Sequence, residues 1–221
     1  MRSISVIPST KIVDWRMNLR CLFSAFLILS AMNGTQAATN NGDTGGLLGA
    51  DLNRARLQAD YFRFFNLEPI GPAQHLENGE QLLAFKPSGT AFRDLVTIYV
   101  QTDPKGLISM LRVVIARSFC DDPRNGVYAR DLIKSSLLAC VNESDAGNLK
   151  ELADEIQFRD IKRTLLVRSE LPSLPAMPSA AYLVVNGTTS AWETTFSSSK
   201  IKLTNETEEN RPALVIEIRG K

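Results

Sequence analysis

Apolar residues recur at spacings of three and four from Leu48 through Leu52, Ala55 and Ala59 to Phe62. That draws one apolar stripe and predicts a helix. Asp51 stands where an N-cap belongs. Tyr61, Phe62, Phe64 and Phe65 crowd the end of this segment, and such an aromatic group predicts burial on more than one side. Pro69, Gly71, Pro72, Asn78 and Gly79 then mark a loop. A short strand is expected at Gln81–Phe85 and a second loop at Pro87–Thr90.

The strongest local signal is a hairpin. Leu95–Val100 is rich in β-branched and aromatic residues. Asp103-Pro104-Lys105-Gly106 follows, with proline placed to open a turn and glycine placed for positive φ. The apolar run then resumes over Leu107–Ala116. Val113, Val114 and Ile115 in succession argue for a strand there and against a helix.

Helices come next. Asp122 can cap and Pro123 can sit at a first helical position, where no hydrogen bond is lost. Ala129, Ile133, Ser136 and Cys140 share one face of a helix expected to end near Val141-Asn142. A second helix is expected over Asn148–Phe158. Leu149, Leu152, Ala153 and Ile156 form its stripe, and Asn148 with Glu151 has the spacing of a capping box. A strand is expected at Thr164–Arg168, then a stiff proline-rich connector over Leu171–Pro178. The chain closes with β patterns: Tyr182–Val185 ending in the turn pair Asn186-Gly187, Trp192–Phe196, Ile201–Thr204 and Ala213–Arg219. In the last of these Leu214, Ile216 and Ile218 face one way and Glu217 and Arg219 the other, the alternation of a strand with one wet face. The order helix, strands, helices, strands predicts an α+β fold: an antiparallel sheet with helices packed on one face, as a single domain over 47–221.

The N-terminal pattern is of another kind. From Met17, a candidate start, a short basic stretch with Arg20 leads into an apolar run, Cys21–Met32, and a small-residue exit, Thr35-Gln36-Ala37-Ala38. This is the layout of a secretory signal peptide over 1–37, cut after Ala37 or Ala38. The run is too short for a bilayer, which takes about 20 apolar residues. Residues 38–46 read as a flexible leader. The mature chain of about 180 residues is long enough for one full core. It carries no second run of spanning length, and it is expected to be periplasmic or secreted.

Composition adds exclusions. Lys+Arg 25 against Asp+Glu 24 gives a formal net charge of +1, which creates no field to gather nucleic acid or an anionic membrane. Hydrophobic content of 44% and charged content of 22% fit an ordinary globular protein.

Candidate chemistry is sparse. His75 is the single histidine, in a loop beside Gln74 and Glu77, with no nucleophile in a recognisable frame; Ser88-Gly89-Thr90 reads as a turn. One histidine with Cys120 and Cys140 makes no zinc ligand set. Asp121-Asp122 before a helix read as helix-start acids rather than an acid–base pair. Gly42–Gly49 lacks the Gly-Lys-Ser/Thr of a phosphate loop. Arg112, Arg117, Arg124 and Arg130 could form a basic strip, although local pairing with acids explains them as well. Asn142, Asn186 and Asn205 begin glycosylation triplets, which matter only for a eukaryotic source; the compact signal looks bacterial. An oxidising compartment favours a Cys120–Cys140 bond. An unbroken helix from Pro123 to Val141, about 25 Å long, opposes it.

These features assign no catalytic, cofactor or metal residue. They favour a non-catalytic binding or interaction protein of the bacterial envelope, with a protein or small-molecule partner. The alternatives are an envelope hydrolase using Asp and Glu, or an inhibitor or immunity-type protein.

Overall fold

The sheet grows from two hairpins whose strands follow the alternation in the sequence. β4 (Val96–Thr102) and β5 (Ile108–Ala116) pair through the turn at Asp103–Gly106. The Gly106 N–H donates to the Asp103 carbonyl at 3.0 Å, and Gly106 has φ +83°. β7 (Ser199–Glu208) and β8 (Arg211–Gly220) pair through Glu209 and Asn210. Both turn residues have positive φ, 49° and 63°, as a two-residue hairpin turn matched to strand twist requires.

The computed structural model describes residues 46–159 and 174–221. The signal-type segment, the leader up to residue 45, the strand expected at Thr164–Arg168 and the start of the proline-rich connector lie outside the described residues. The remaining strands are β1 (Leu67–Pro69), β2 (Gln74–His75), β3 (Gln81–Pro87) and β6 (Ala191–Thr195). Together they make one eight-stranded antiparallel sheet of order β1-β3-β4-β5-β8-β7-β6, with β2 also on β3.

One face of this sheet is the core. Phe85, Ile98, Val113, Ile216 and Leu203 form a single cross-strand row and are fully buried. The helices supply the other half: α1 (Leu52–Gln58), α2 (Asp60–Phe64), α3 (Arg117–Cys120), α4 (Gly126–Ala139), α5 (Glu143–Phe158) and α6 (Ala180–Val185). Leu52, Phe62, Phe119, Ile133, Leu149, Ile156 and Val184 all join the same buried cluster. This is the expected α+β architecture. Among the described residues no helix is long and apolar enough to cross a membrane.

Four local expectations are corrected. The first helix is broken at Ala59, whose backbone is extended at φ −72°, ψ 130°. Beyond the break, α2 buries both Tyr61 and Phe62. The Phe62 ring meets Phe85 edge-on at 5.4 Å, and the Tyr61 hydroxyl meets Ser136 Oγ at 2.8 Å.

The helix expected at Pro123 starts at Gly126 instead, after the short α3. Asp122 accepts from the backbone N–H groups of Arg124 and Asn125, at 2.7 and 2.8 Å, so it caps the intervening turn. Gly126 opens α4 because any Cβ there would lie 2.7 Å from the Cys120 carbonyl oxygen.

α5 begins at Glu143, before the expected Asn148; its cap is Asn142, whose side chain accepts from the Asp145 N–H.

Tyr182–Val185 is helical, not a strand. Ser179 caps α6 by accepting from the Tyr182 N–H at 3.2 Å. The Asn186-Gly187 pair ends the helix, with Gly187 at φ +82°, rather than turning a hairpin. An apolar run this short has no decisive period.

Candidate functional site

The sheet ends differently at its two sides. On the β3 side, β1 and β2 pair in two short pieces, separated by Gly71 and Pro72 and carrying Pro69. Proline and short strands blunt an edge against further pairing. On the other side β6 runs unbroken from Ala191 to Thr195. Among the described residues, no strand pairs with its outer edge.

The phase of the β6–β7 ladder fixes which groups point outward. Phe196 N–H donates to the Ser199 carbonyl, and Asn205 N–H donates to the Ser190 carbonyl, both at 2.8 Å. With Trp192 opposite Leu203 and Thr194 opposite Ile201, the hydrogen-bonded pairs fall at Ser190, Trp192, Thr194 and Phe196. Ala191, Glu193 and Thr195 therefore direct their N–H and C=O groups away from β7. These three residues are also the exposed members of the strand, and Trp192 and Thr194 are half-buried. Trp192 and Phe196 pack on the core from the helix side.

The open face of the sheet carries a cross-strand row of alternating charge. In the ladder register Arg112 stands opposite Glu217, Glu217 opposite Lys202, and Lys202 opposite Glu193, while the ion pair of Glu217 is made with Arg219 at 2.7 Å. Glu193 also takes an ion pair from Lys200 at 2.8 Å. Arg112 is clamped by Glu208 and lies 3.5 Å from Glu206. Burial raises the Tyr99 phenol, and Glu209 and Glu208 raise it further against Arg112. The crevice under this hairpin tip, between Thr97, Val114, Glu208 and Arg211, is about 40 Å³. That is room for about one water molecule; a ligand site takes roughly 300 Å³ or more.

The residues singled out in the sequence do not converge. His75, expected in a loop, instead lies in the short strand β2, where its side chain is exposed, and Glu77 is exposed just beyond that strand. Asp121 is an exposed ion-pair partner of Arg117 at 2.7 Å. Asp122 is held below the usual carboxylate range by the Asn125 and Arg124 N–H groups. The four arginines form no strip. Arg112 lies on the open sheet face, and Arg130 Nη1 donates to the Ile156 carbonyl. Arg124 is exposed on the turn. Arg117 turns inward, donating from Nη1 to the Val185 carbonyl at 2.7 Å and to Asn205 Oδ1 at 3.3 Å.

Asn205 in turn donates to the Val184 and Thr189 carbonyls, so this triplet asparagine is occupied in the fold. Cys120 and Cys140 are free and buried at opposite ends of α4. Burial pushes the Cys120 thiol up to about 12 and Cys140 upward as well. Among the described residues, no group of three or more His, Cys, Asp or Glu side chains is placed to hold a metal ion.

Sequence reasoning located β6 as a strand but not as an edge. Edge position is a property of strand order, which no local pattern encodes. Comparison with protein-family models, with curated proteins and with solved structures returns no match.

Proposed function

We propose that this chain is an exported, non-catalytic binding protein of the bacterial envelope, and that it holds a partner protein along β6. The observation that carries the reading is the contrast between the two sheet margins. One is broken and proline-bearing; the other offers an unbroken row of outward amides and carbonyls at Ala191, Glu193 and Thr195. Unprotected edges invite pairing with other chains, and strand addition is a recurrent mode of protein recognition. The signal-type layout of residues 17–38 supports export.

The test is photo-crosslinking in the cell. A crosslinking residue replaces Thr195 on the open margin, or His75 on the blunted one. A discrete adduct is expected from Thr195 and none from His75. The Thr195 adduct should vanish on Ala191→Pro, which removes an outward N–H without touching the β7 ladder. Adducts equal from both margins, or indifferent to Ala191→Pro, would contradict the reading.

A further inference from the structure

We infer that the partner of β6 is an extended segment of a different protein, added antiparallel, with a lysine or arginine opposite Glu193 and apolar residues opposite Trp192 and Thr194. The inference rests on the edge reading above and gives it a chemistry.

The cation follows from the charge row. Across β5, β8, β7 and β6 the open face reads Arg112, Glu217, Lys202, Glu193. Opposite charges on directly facing strands are favourable and like charges are not. A strand beyond Glu193 continues the alternation only with a positive side chain. Glu193 remains about half exposed despite its pair with Lys200, so its carboxylate has room for a second cation.

The apolar positions follow from the ladder phase. Ala191, Glu193 and Thr195 turn their backbone groups outward, so the residues facing them in an antiparallel strand form hydrogen-bonded pairs. Residues facing Trp192 and Thr194 form the non-hydrogen-bonded pairs, in which side chains stand closer. Trp192 and Thr194 lie on the core side of the sheet, opposite Leu203 and Ile201. Apolar side chains there would extend the buried row and cover the exposed part of Trp192.

The same row argues against a second copy of this chain. Pairing β6 with itself about a dyad places Glu193 opposite another Glu193, an Ala191 or a Thr195, according to register. Thr189–Ser197 contains no lysine or arginine, so no self-register supplies the cation. Pairing of β6 with β6 is therefore disfavoured, and the occupant assigned here is a segment of another protein.

The probe is a short synthetic peptide in which valine alternates with threonine around a central lysine, the lysine in phase with the threonines. It is titrated into the ¹⁵N-labelled protein, and amide shifts are followed beside those of a central-glutamate peptide. Saturable shifts confined to β6 and β7 are expected, with the lysine peptide binding about fivefold tighter. Glu193→Lys should reverse that preference, and Ala191→Pro should abolish both titrations.

Equal affinity of the two peptides, or a preference unchanged in Glu193→Lys, would overturn the assigned chemistry. So would a wild-type protein that is already a dimer with its β6 amides protected. If the peptides fail while the Thr195 crosslink persists, the partner chemistry falls and the edge reading stands. If the crosslink fails as well, both fall.

Discussion

Glu193 stands directly opposite Lys202 in the β6–β7 ladder, yet its backbone groups point away from that strand. Its side chain belongs to the charge row of the open face, and its main chain belongs to the margin that no described strand covers. That double membership ties charge selectivity to strand addition in the account above.

The two central helices are anchored by residues with no exposure. Ile133→Ala and Leu149→Ala should each lower unfolding stability by about 2–5 kcal/mol in urea titrations, as buried truncations do. Leu152 is only half-buried on the same helix as Leu149, so Leu152→Ala should cost less than either.

Arg117 and Asn205 jointly satisfy the C-terminal end of α6, with Arg117 on the Val185 carbonyl and Asn205 on that of Val184. Asn205→Ala removes the donor from the carbonyl of the fully buried Val184 and should cost about 1–3 kcal/mol. Asp121 is exposed, and Asp121→Asn should change stability by less than about 0.5 kcal/mol. A double-mutant cycle should find coupling between positions 117 and 205.

Asp131 accepts from Gln157 in the seam between α4 and α5, where Lys134 also meets Asp154 and Gln157. Burial raises its carboxyl above the ordinary range, against the opposing effects of Gln157 and Lys134. A raised folded-state pKa means that the folded protein holds the proton more tightly. The favourable contribution is full below the unfolded value near about 3.9 and is lost as pH rises through the folded one. Asp131→Asn keeps the acceptor and removes the charge. It should raise the melting temperature at pH 7, and the gain should shrink toward zero below about pH 4.

Gly106 closes the β4–β5 turn at φ +83°. Gly106→Val should destabilise the protein by about 1 kcal/mol or more in thermal melts, because a β-branched residue is strained in that conformation.

What the sequence made legible follows the range of the interactions. The β4–β5 hairpin was readable because Pro104 and Gly106 lie between its own strands. The faces of Leu214, Ile216 and Ile218 were readable because alternation is local. α6 was misread because Tyr182–Val185 is too short to show a period, and Asn186-Gly187 serves a helix end as readily as a hairpin. The roles of Arg117 and Asn205 depend on contacts across 88 positions, beyond any spacing rule. The candidate site was the least legible of all. Trp192–Phe196 announced a strand, while its place at the margin emerged only when β8 inserted beside β5 and left β6 last.

Amide hydrogen exchange along β6 tests the central claim most directly. Trp192 and Thr194 bond to β7 and should exchange slowly, whereas Ala191, Glu193 and Thr195 should exchange at rates close to those of open chain. Uniform protection over Ala191–Thr195 in the protein alone would contradict the account.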